Sequence, residues 1–81
     1  MTNPIIAKQG WTLFYTIGSV VTRPIAAGET VETSRGELMT ITGGNPPHKP
    51  GSTGRVYVSE DGSSREYFPS VIGAKWIRDD A

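Results

Sequence analysis

An all-β domain is the fold class that this sequence predicts, and three features predict it. Ten Gly and six Pro are spread over 81 residues and punctuate short segments rich in Thr, Val, Ile and aromatic residues. No long stretch carries an apolar stripe at helical spacing without an interrupting Gly or Pro. Asp61-Gly62, set between two alternating segments, is the pattern of a two-residue type I′ hairpin turn, because both positions accept positive φ.

The first predicted strand is Trp11–Ile17, whose odd positions Trp11, Leu13, Tyr15 and Ile17 share one face. Gly18 marks a bend, and Val20–Ile25 continues as an edge strand because Pro24 cannot donate to a ladder. After an Ala26-Ala27-Gly28 turn come Glu29–Ser34, a tight Arg35-Gly36 connection, and Glu37–Thr42 with Met39 and Ile41 on one face. The segment Gly43–Thr53 holds three Pro and three Gly, which argues for a long loop and against an interior strand. Gly54–Glu60 then alternates Val56 and Val58 against Arg55 and Tyr57, and the Asp61-Gly62 turn returns it as Ser63–Phe68. The turn sets the register, placing Ser59 opposite Ser64 and Tyr57 opposite Glu66. Pro69–Gly73 reads as a single 3₁₀ turn, Ala74–Arg78 as the last strand, and Asp79–Ala81 as a frayed end. Five to six short strands and one 3₁₀ turn are the layout of a small SH3-like barrel, or of a two-sheet roll.

The length fits a single domain over residues 1–81, with residues 1–10 as a possible arm. A domain this small buries a modest share of its surface. With no Cys to form disulfides, self-association is the expected route to added stability. Eight basic residues balance eight acidic ones, whereas a non-specific nucleic-acid binder carries a positive excess; nucleic acid is therefore not the expected partner. The longest apolar-leaning stretch, Trp11–Val21, is too short and too polar for a membrane span. A cytoplasmic location, with no membrane partner, is expected.

The segment His48–Arg55 carries the densest potential chemistry. Lys49 and Arg55 supply positive charge, Ser52 and Thr53 supply hydroxyl donors, and Gly51 and Gly54 let backbone N–H groups approach an anion closely. Arg55 offers a two-pronged fork suited to phosphate. The order of residues is not that of a phosphate loop opening a helix. Tyr57 or Trp76 would stack a nucleobase, although Trp76 and Phe68 also read as core or rim aromatics. Arg35 either reaches the same ligand or pairs with Glu37 or Glu32. His48, the only His, has neither Cys partners for a metal nor an orienting acid for general-base work, so ligand hydrogen bonding or solvent exposure is expected of it. No cofactor, no metal and no catalytic residue is expected, and the protein is read as a binder and not an enzyme.

Three blocks carry a resemblance: Arg35-Gly36-Glu37; His48 to Val58, with its STGRVYV string; and Glu66 to Trp76, with its EYFPSV string and closing Trp. Together they resemble a family of small uncharacterised tailed-bacteriophage proteins, over roughly residues 29–78. The resemblance implies a phage origin and a compact β fold, and no reaction. It implies a setting, the host cell cytoplasm, in which phages deploy small accessory proteins against host defence. Some of these sequester cyclic or ADP-ribose-type signalling nucleotides, and others bind a host protein. The expected function is thus non-catalytic capture of a small phosphate-bearing ligand, with a protein–protein inhibitor or adaptor as the alternative.

Overall fold

The computed structural model describes residues 4–80, which form two four-stranded antiparallel sheets and one 3₁₀ turn. In the first sheet, β2 (Trp11–Ile17) is central. β8 (Ala74–Arg78) pairs along one of its edges, while β1 (Ala7–Lys8) and β3 (Val20–Pro24) share the other. The second sheet is a meander of β4 (Thr30–Glu32), β5 (Leu38–Asn45), β6 (Arg55–Glu60) and β7 (Ser63–Tyr67). Among the described residues no ladder joins the two sheets, so the observed architecture is a two-sheet β domain and not a hydrogen-bonded closed barrel.

Period-2 patterning decides which side of each strand faces inward. Met39 and Ile41 of β5, and Val56 and Val58 of β6, are buried while their neighbours are exposed or half-buried. Leu13 of β2 and Trp76 of β8 meet them from the first sheet, and Ile6, Ile25, Val31, Ile72 and Ala74 complete one core. Leu13, Ile25, Ile41, Val56 and Val58 are the largest side chains with essentially no solvent contact.

The β6–β7 hairpin matches its expected register, with Tyr57 opposite Glu66 and Ser59 opposite Ser64. Asp61 and Gly62 both take positive φ, 51° and 81°, as a type I′ turn requires. The 3₁₀ turn Pro69–Ile72 ends on Gly73 in the left-handed region.

Three segments differ from the sequence reading. Residues 5–8, within the stretch read as a possible arm, are tied down: Ile5 bridges Ala26, Ile6 is buried, and Ala7 and Lys8 pair with β2. Residues 1–3 and Ala81 lie outside the described residues. Gly43, Gly44 and Asn45, read as loop, extend β5 after a bulge and pair with Tyr57, Val56 and Arg55. The loop proper therefore spans only 46–54. At the other end Asp79, read as frayed, is held by its N–H donating to the Gly10 carbonyl (2.8 Å) and by the Thr12 hydroxyl donating to its carboxylate (2.6 Å).

Candidate functional site

The loop 46–54 stands where the end of β5 passes to the start of β6, and Trp76 anchors it. The indole N–H of Trp76 donates to the Arg55 carbonyl at 3.2 Å. Its ring lies against Gly44 and Gly54, where any Cβ would fall within 3 Å of neighbouring atoms. Within the loop, the Ser52 N–H donates to the Lys49 carbonyl (3.2 Å) and the Gly54 N–H donates to the Ser52 hydroxyl oxygen (3.2 Å). The Ser52 oxygen thus serves as an acceptor inward, which leaves its O–H as a donor.

Three hollows surround this loop. The first, about 560 Å³, is lined by Lys49, Ser52, Thr53, Arg55, Phe68 and Ser70, with Pro50 and Gly51. The second, about 690 Å³, lies beside it and shares Ser52, Thr53 and Ser70; Trp11, Pro47, Pro69 and Lys75 are among its other walls. The third, about 460 Å³, carries His48, Lys49 and Arg78 around Trp11. Not one Asp or Glu lines any of the three. Four of the eight basic residues, Lys49, Arg55, Lys75 and Arg78, line these walls.

Arg55 is held in place by three contacts. Its guanidinium stacks over the Phe68 ring at 4.1 Å from the centroid, donates to the Gly54 carbonyl at 2.9 Å, and lies 3.6 Å from the Glu66 carboxylate. Phe68 is 52% exposed, so this stack is on the surface and not in the core. The Glu66 contact is long and solvated, so it screens Arg55 weakly. Lys49 is exposed and has no carboxylate partner among the described residues.

The structure therefore gathers Lys49, Ser52, Thr53 and Arg55 at one concavity and places His48 across the loop in the third hollow. It does not bring the other expected residues there. Arg35 sits in the β4–β5 connection, lines a separate hollow with Thr33, Glu37 and Tyr67, and makes no ion pair among the described residues. Tyr57 is half-buried; its hydroxyl accepts from the Asn45 side-chain amide, whose oxygen in turn accepts from Lys8 at 2.7 Å. That chain ties β1 to the second sheet, and Tyr57 lines none of the loop hollows. Trp76 is 3% exposed: it contributes to a wall, but its faces are packed in the core and cannot take a base between them.

Sequence reasoning did not single out Trp11, Ser70 or Lys75 as lining residues. Trp11 is brought in by the β2–β8 pairing, and Ser70 and Lys75 by the 3₁₀ turn and the strand after it; pairing across more than fifty positions leaves no local signal. No protein-family model, no curated protein and no solved structure matches this chain.

Proposed function

We propose that this protein captures a small phosphate-bearing ligand without transforming it, with Lys49 and Arg55 on the anion and Ser52 and Thr53 as hydroxyl donors. One observation carries the reading: these four side chains line a single concavity that no carboxylate lines. Two cations and two hydroxyls on a short internally hydrogen-bonded loop can satisfy the several acceptor oxygens of a phosphate group. The resemblance to phage proteins is what directs this proposal to a signalling nucleotide of host immunity, of cyclic or ADP-ribose type, and to sequestration as the role. The finer architectural assignment belongs to the same proposal. A 3₁₀ turn followed by a last strand beside the first long one fits an SH3-like roll of two unclosed sheets, whose loops offer a binding end.

A thermal-shift screen against cyclic dinucleotides, ADP-ribose derivatives and inorganic pyrophosphate tests this reading. A ligand at a hundredfold excess over its Kd stabilises by about 2.7 kcal/mol. For a domain of this size that raises Tm by roughly 10 °C or more. The double variant K49A/R55A should stay folded, with a modest loss of melting temperature from the Arg55 contacts, and lose the ligand-induced rise. A full rise in the variant, or no rise with any phosphate compound on the wild type, sinks the proposal.

A second reading, a protein–protein adaptor that also self-associates, is favoured by the β2–β3 hairpin. Ile17 is 76% exposed there and Val20 64%, on an edge of the first sheet. Exposed apolar edges are costly for a free monomer. Native mass measurement of subunit number and pull-down from host lysate, each with V20K as comparison, separate this reading from the first.

A further inference from the structure

We infer that the 690 Å³ hollow is the second half of the same site, that it takes a flat ring system attached to the phosphate, and that Trp11 is the wall on which the ring packs. The inference rests on the phosphate reading of the neighbouring hollow and specifies what the anion is attached to. The two hollows share Ser52, Thr53 and Ser70, so a ligand with its phosphate beside Arg55 has its next atoms directed over that common rim. Beyond the rim the walls change in character. Pro47, Pro69, Ala74 and Trp11 replace the cations, and Lys75 is the single charged residue. Each hollow lies within the size range of small-molecule sites, and a predominantly apolar wall with a few polar groups at its edge suits an uncharged ring.

Of the two tryptophans only Trp11 is placed to stack. Trp76 is buried between Gly44 and Gly54 and its N–H is committed to the Arg55 carbonyl. Trp11 is half-buried, packs against the core from its edge, and lines both the large hollow and the third one. The cross-strand pair Trp11–Arg78 sets the Arg78 guanidinium over one face of the indole, 5.6 Å from its centroid, so a ligand ring has the other face to pack on. Pro47 and Pro69, both rigid and apolar, are among the other walls of the same hollow.

The deciding experiment compares ribose 5-phosphate with AMP, in which adenine replaces the anomeric hydroxyl, by calorimetric titration of the wild-type protein. Stacking on an aromatic side chain has a sequence-tolerant strength that corresponds to a gain of about 5- to 150-fold, so AMP should bind tighter than ribose 5-phosphate by that factor. W11A should bring AMP down to the ribose 5-phosphate level and leave ribose 5-phosphate itself unchanged, and W11F should restore most of the gain. AMP should quench tryptophan emission in the wild type and not in W11F, while ribose 5-phosphate quenches neither. Equal binding of the two compounds to the wild type overturns the inference and leaves the phosphate reading standing. W11A weakening both compounds alike overturns the stacking role in the same way. If neither compound binds the wild type this inference is overturned, and if the cyclic dinucleotides, ADP-ribose derivatives and pyrophosphate of the thermal-shift screen are silent as well, the phosphate reading falls with it.

Discussion

A methyl group on Gly54 would sit 2.6 Å from the Asn45 carbonyl oxygen and 2.8 Å from Trp76 Cδ1, on a backbone whose φ is +78°. A methyl on Gly44 would meet the Arg55 carbonyl oxygen at 2.5 Å. The two glycines are therefore the seat of the Trp76 ring, and the ring positions the strand that begins with Arg55. G54A should destabilise by about 2–4 kcal/mol, because left-handed strain and overpacking act together. G51A, at φ +86° with nothing within 4 Å, meets only the strain and should cost about 1 kcal/mol. Urea titration of both variants measures the difference; equal losses would show that Trp76 does not need the space. Gly54 was read as letting its backbone N–H approach an anion, but that N–H is committed to the Ser52 hydroxyl oxygen and the residue is buried under Trp76. At Gly44 the residue serves close packing inside a strand, which no local pattern distinguishes from a turn.

At the scale of elements, the β6–β7 hairpin was readable to the residue, since Asp61-Gly62 fixes the turn type and the turn type fixes the register. The Ala26–Gly28 turn after β3 was read as well, but not the clasp that spans it. There Arg23 lies over the Tyr15 ring at 4.5 Å and grips the Glu29 carboxylate with both terminal nitrogens, at 2.7 and 3.1 Å. Glu29 also accepts the Ala26 N–H at 2.6 Å. Its pKa is held below the ordinary glutamate value, first by the Arg23 hydrogen bond and then, against some desolvation, by the Ala26 N–H. A depressed carboxylate stabilises the fold above its unfolded pKa, and that stabilisation is lost as pH falls through the folded value. Melting temperature should thus drop as pH is taken below the ordinary glutamate range, and E29Q should show a shallower drop on the acid side. An unchanged acid limb in E29Q would show that the clasp contributes nothing to the linkage.

For the whole molecule, the margin of stability is small. A chain of this length has roughly 4–12 kcal/mol in hand. Ile41 has no solvent contact and lies at the centre of the core, and truncating a side chain of this kind costs about 2–5 kcal/mol. I41A should lower Tm by 10 °C or more, roughly, or leave the domain unfolded at 37 °C, as circular dichroism would show. A smaller effect would mean that the two sheets close up around the vacated space. Charge tells a different story on the same scale. Eight positive and eight negative residues cancel in the sum, yet the loop side presents Lys49, Arg55, Lys75 and Arg78 with no carboxylate in the hollow walls. Two of these cations have exposed carboxylate neighbours, Glu66 and Asp80, and Lys49 and Lys75 have none among the described residues. Anion binding should therefore weaken as salt rises from 50 to 500 mM while the melting point of the free protein barely changes, roughly as screening of an exposed, predominantly positive cluster demands.

Alternation, turn residues and the lack of helical stripes were sufficient by themselves to determine an all-β chain, most of its strands and one exact hairpin, because those properties are local to a few residues. They also marked Lys49, Ser52, Thr53 and Arg55, which stay together because seven positions of chain cannot separate them far. Only the tertiary structure decided that β8 runs beside β2, that Trp76 is spent on the core, that Arg35 and Tyr57 face elsewhere, and that Trp11 borders the cations. Such placements depend on which strand edges meet, and that choice is made by burial of the whole apolar set at once.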